Sequence, residues 1–201
     1  MRLSEIDILI IPGWMNAGPD HWQSRWQRNM KSARRVEQAD WDRPAIGDWV
    51  DAIVAAVAAG RRPAVIVAHG CGVTAVAAAA PRLAKTSLAE TSPAKTRSAG
   101  TRVAGAFLVA VPDLDPAVHG IWPARNGGFA PLPMQPLPFP AKLIGSSTDP
   151  YCTVERTQEI GRAWGADVSI IANAGHLNAE SGHGPWPEGL LSLGLFLKGL
   201  G

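Results

Sequence analysis

Residues 65–80 read VIVAHGCGVTAVAAAA: a β-branched run, a turn carrying Gly70 and Gly72, and a small-residue stretch suited to a helix. An elbow of this kind lifts one side chain above the carboxyl edge of a parallel sheet. Gly70 stands at that point, with His69 before it and Cys71 after it. Three readings are open: an active site whose nucleophile is absent, a site that uses Cys71, or a tight turn without chemistry.

The runs on either side of the elbow place it in a larger pattern. IDILIIP, PAVIVAH, VAGAFLVAVP, AKLIGSS and DVSIIAN are continuous apolar segments, as expected of strands covered on both faces of a parallel sheet. ARRVEQA is a weaker candidate for an edge strand between the first two. Helical stretches fill the gaps. PDHWQSRWQRNM is expected to start with Asp20 as its cap and to put Trp22 and Trp26 on one face. AIGDWVDAIVAAVAAG should stop at Gly60. A third helix is expected after Gly72, a fourth after Tyr151, and GLLSLGLFLKGL forms the last. The alternation predicts an α/β fold, a three-layer α/β/α sandwich.

Two segments break the rhythm. The Ser/Thr-rich stretch 84–102 lacks an apolar stripe and reads as a surface excursion within one domain spanning residues 1–201. ARNGGFAPLPMQPLPFP, residues 124–140, reads as a rigid connector; the competing reading is a proline-rich docking motif.

With 201 residues, 46% of them hydrophobic and a formal net charge of +2, one soluble globular domain is expected, and charge alone favours neither nucleic acid nor a membrane surface as partner. Glu5 and Asp7 precede a short apolar run, unlike the basic start of a signal peptide, so the expected compartment is the cytoplasm. The cysteines Cys71 and Cys152 form no metal or disulfide pattern and are expected to be free thiols. His21, His119 and His183 show no repeated ligand spacing, and neither a metal nor a cofactor is expected.

Ligands of open parallel sheets bind beyond the carboxyl ends of the strands. PGWMNAGPDHW follows the first long strand, HGCG the second, SSTDPYC the fourth and NAGHLNAESGHGPW the fifth. Chain order therefore supplies a tight turn, then an acid at Asp149, then a base at His176. That is the nucleophile, acid, base order of α/β-hydrolases. A histidine there accepts the proton of the nucleophile and returns it to the leaving group, while the carboxylate holds the imidazole tautomer. The amide of Cys71 and one near Trp14 are candidates for an oxyanion hole. His69 reads as a scaffold residue whose side chain points away from residue 70. Trp14, Trp122 and Trp186 fit an apolar substrate pocket and ordinary core positions equally well.

IPGWMNAGPDHWQSRW, VAHGCG, STDPYC and AGHLNAESGHGPWPEG together resemble the YdeN-like small serine hydrolase family, which includes retinoblastoma-binding protein 9. The resemblance implies a compact α/β-hydrolase fold without the first strands of larger members, a mostly parallel six-stranded sheet of order 2-1-3-4-5-6, and carboxylester hydrolysis. By the same resemblance Asp149 is the triad acid and His176 the base. The family elbow reads His-Ser-x-Gly, so its serine falls on Gly70.

Glycine has no side chain to acylate, and removing a triad nucleophile costs on the order of 10⁶ in kcat. The expected activity is hydrolysis of a small acyl or ester substrate, impaired in this chain by Gly70. A Cys71 nucleophile requires the adjacent residue of the elbow to face the base, and a His176–Asp149 pair activating water is the third alternative. A non-catalytic interaction module, using the connector or the excursion, is the competing class.

Overall fold

The computed structural model describes residues 1–86, 102–114 and 127–200. Five of its six strands come from the long apolar runs: β1 (Asp7–Ile11), β3 (Ala64–His69), β4 (Val103–Val109), β5 (Ala141–Ser146) and β6 (Asp167–Ile171). ARRVEQA yields only the three-residue edge strand β2 (Ala33–Arg35). The sheet order is β2-β1-β3-β4-β5-β6. Every neighbouring pair is parallel, as the continuous apolar runs require.

Alternate residues of each strand feed two cores. Leu9, Ile11, Ile66, Ala68 and Leu108 face α2 (Ile46–Ala59), α3 (Cys71–Leu83) and α4 (Val154–Trp164). Ile8, Ile10, Val65, Val67 and Phe107 face α1 (Trp22–Asn29) and α5 (Pro187–Gly199). The result is the three-layer α/β/α arrangement. No helix among the described residues is long and apolar enough to cross a membrane.

Two helix starts differ from expectation. Asp20 does not cap α1, because its carboxylate pairs with Arg25; the ring Nδ1 of His21 accepts the Gln23 N–H instead. Helix α3 starts at Cys71 rather than after Gly72. Gly70 adopts φ 55° and ψ −129° at the cap, and Val73 N–H donates to Gly70 O. A glycine reaches that backbone region without the penalty a side chain would carry.

Residues 87–101 of the Ser/Thr-rich stretch lie outside the described residues. The described ends meet, since Arg102 N–H donates to Thr86 O at 2.8 Å. Residues 124–126 at the start of the connector also lie outside. From Gly127 onward it is packed: Phe129, Leu132 and Phe139 are buried in the core, and Trp164 Nε1–H donates to Pro133 O. Side chains committed in this way favour the rigid-connector reading over a docking motif.

Candidate active site

The elbow owes its shape to backbone contacts that only glycine permits. A Cβ on Gly72 would stand 2.5 Å from the carbonyl oxygens of both Ile11 and Pro12, and one on Gly13 would stand 3.0 Å from His69 O and 3.2 Å from Cys71 N. The loop after β1 therefore lies against the first turn of α3, backbone to backbone. Gln23, buried in α1, ties the same region together by donating from Nε2 to Ile11 O at the end of β1 and to Val67 O within β3.

This packing answers the question about Cys71. Its side chain is buried, and desolvation pushes its thiol up to about 12, although N–H groups of Trp14 and of Cys71 itself favour the thiolate. Burial therefore favours the thiol over the nucleophilic thiolate at neutral pH. Its backbone N–H lies in the first turn of α3, where amides have no acceptor within the helix.

Asp149 and His176, at the ends of β5 and β6, meet. His176 Nδ1 lies 3.0 Å from both carboxylate oxygens of Asp149. A carboxylate only accepts, so Nδ1 carries a proton, and in the neutral ring Nε2 is left with its lone pair. That Nε2 lies 3.5 Å from where a Cβ on residue 70 would be. Asp149, His176 and the elbow thus converge although the chain separates them by dozens of residues. Tyr151 adds an edge-on ring against His176, with centroids 4.7 Å apart, and its N–H donates to Asp149 Oδ1.

The two loops are locked by three consecutive hydroxyls. Ser147 Oγ accepts from Asn173 N–H, Ser146 Oγ from Ala174 N–H and Thr148 Oγ1 from Gly175 N–H, all at 2.9–3.0 Å. On the other side, Trp22 Nε1–H donates to Leu177 O at 2.8 Å, and His69 Nε2 lies 2.9 Å from His176 O. A carbonyl cannot donate, so His69 carries its proton on Nε2. The backbone on both sides of His176 is therefore held. His69 is a scaffold residue as expected, but it bonds to the base loop instead of turning away from the site.

His21, His69 and His176 form a row of rings with 4.8 Å between successive centroids. Burial, reinforced by His176 and Arg35, lowers His21 to about 4. Burial, followed by His176 and His21, holds His69 well below the ordinary imidazole range. Both are neutral at pH 7. The row of rings and the bond between His69 and His176 O escaped sequence reasoning, as did Tyr151 and the Ser146–Thr148 hydroxyls. The local hints were polar Gln23 and Ser24 on the buried side of α1 and the run of hydroxyls before Asp149.

The aromatic candidates separate. Trp186 is core, stacked on Trp26 at 5.8 Å with an interplanar angle of 11°. Trp14 is 44% exposed at the rim, its Nε1–H donating to Asp42 O. Trp122 and His119 lie outside the described residues. His183 Nδ1 stands 3.4 Å from Ser181 Oγ. Among the described residues no group of three or more His, Cys, Asp or Glu is placed to hold a metal ion.

A family model described as serine hydrolase matches residues 8–194. Among solved structures, a protein described as a YdeN-like hydrolase from Pectobacterium atrosepticum is 25% identical, with a TM-score of 0.78 over 98% of this chain and 93% of that one. The ydeN gene product of Bacillus subtilis is 14% identical, with a TM-score of 0.72 over 96% and 98% of the two chains. An esterase from the Planctomycetes species Thermogutta terrifontis, with propionate bound, is 13% identical at a TM-score of 0.64 over 98% and 83%. Among curated proteins none matches.

Proposed function

The chain belongs to the serine hydrolase family, and we propose that its site is a small-acyl ester hydrolase centre in which Asp149 and His176 are the acid and base and Gly70 holds the nucleophile's position. One observation carries this reading: His176 Nδ1 is bound to Asp149 while Nε2 stands 3.5 Å from a Cβ built on residue 70. A hydroxyl one bond beyond that Cβ is within reach of Nε2, the relation a nucleophile and its base require. The Cys71 and Trp14 amides are the proposed oxyanion donors, with Cys71 N–H at the positive end of α3. The propionate bound to the Thermogutta esterase supports a short acyl group as the substrate class.

Glycine cannot carry an acyl group, so the covalent route is closed at residue 70 in this chain. Gly70→Ser is expected to raise kcat/KM on a short-chain activated ester by roughly 10³-fold or more. In that background Asp149→Asn is expected to lower kcat on the order of 10⁴-fold. A folded Gly70→Ser protein that gains nothing refutes the assignment.

A further inference from the structure

We propose that this chain hydrolyses activated short-chain esters without an acyl-enzyme, using a water molecule seated at Gly70 on His176 Nε2 as the nucleophile. This rests on the reading of Asp149 and His176 as acid and base. The space comes from the glycine. Among the described residues, a Cβ at residue 70 would meet only His176 Nε2 at 3.5 Å and Gly13 Cα at 3.8 Å. A water molecule is smaller than the CH2OH side chain of serine and fits the space that side chain would take. One water proton donates to Nε2, whose lone pair is fixed outward because Asp149 holds the proton on Nδ1. The position is defined by a rigid neighbourhood: the carbonyls of His176 and Leu177 are clamped by His69 and Trp22. A base held this tightly can aim a water as well as a hydroxyl.

The step balances without a further reactant. As the water oxygen bonds to the acyl carbon, its proton passes to His176 Nε2, and the carbonyl oxygen takes the negative charge beside Cys71 N–H. The tetrahedral species then expels the alcohol oxygen, which takes the proton from Nε2 as the carbon–oxygen bond breaks. Carboxylic acid and alcohol leave, and the imidazole returns to its starting form. General-base catalysis supplies roughly 10²- to 10⁴-fold.

The test uses the full chain and para-nitrophenyl acetate. The unsubstituted protein is expected to exceed His176→Gln by roughly 10²-fold or more. Gly70→Ala puts a methyl group where the water sits and is expected to lose at least about tenfold, whereas Gly70→Ser gains activity. Alanine and serine place the same Cβ at φ 55°, so a folded Gly70→Ser shows that the backbone tolerates it. Intact-protein mass spectrometry with a fluorophosphonate should label Gly70→Ser and not the parent. The proposal is overturned if the parent is no faster than His176→Gln, if folded Gly70→Ala matches the parent, or if the parent forms a phosphonyl adduct. Should Gly70→Ala not fold, the His176→Gln comparison and the adduct measurement decide. Failure of Gly70→Ser alone strikes the acid–base reading instead.

Discussion

Ser146→Ala is the sharpest probe of how the loops after β5 and β6 are joined. Ser146 is 1% exposed, and its Oγ accepts from Ala174 N–H at 3.0 Å and from Thr148 N–H at 3.2 Å. Ala174 is itself buried, so no water replaces the lost acceptor. An unpaired buried donor costs about 1–3 kcal/mol, and the second N–H adds a smaller amount. Taking about 2–3 kcal/mol and 2–4 °C per kcal/mol for a chain of this length gives a drop in Tm of roughly 4–12 °C. Ser147→Ala and Thr148→Val remove the acceptors of Asn173 and Gly175, but those bonds are exposed and water substitutes for them. Each should cost less than about 1 kcal/mol. Thermal and urea unfolding followed by circular dichroism measure the ranking. In a Gly70→Ser background, Ser146→Ala should also lower kcat by about 10²-fold, the effect of displacing a base by an ångström. A Ser146→Ala protein within about 0.5 kcal/mol of its parent, or less affected than Ser147→Ala, refutes the clamp.

His21 titrates at about 4 in the fold and 6.5 when exposed, so between those values the unfolded chain binds the proton first and stability falls with falling pH. The loss saturates near 3 kcal/mol at pH 4, and His69 acts in the same direction. His21→Asn keeps a capping side chain and should flatten the dependence of Tm on pH between 7 and 5; unchanged slopes would exclude His21 as the cause. Burial pushes the thiols of Cys71 and Cys152 to about 12 and about 11, so iodoacetamide at pH 8 should modify both only after unfolding. Rapid modification of native Cys71 would contradict its exclusion as nucleophile.

The strand runs, the glycine-bearing elbow and the order of Gly70, Asp149 and His176 along the chain were legible without coordinates. Hydrophobic periodicity and turn chemistry are local, and each run reports its own burial. The cap of α1 was not: whether Asp20 or His21 serves depends on Arg25 claiming the Asp20 carboxylate. Nor was the role of PDHW. Trp22 reaches Leu177 and His69 reaches His176 across 155 and 107 residues. A bond from a side chain to a distant carbonyl leaves no period in either segment. The sequence by itself determined the architecture and the residue types that follow the strand ends, with a glycine at position 70. Only the tertiary structure decided which groups hold the base and how far Nε2 stands from residue 70, because those follow from strand order and from loops meeting at one edge of the sheet.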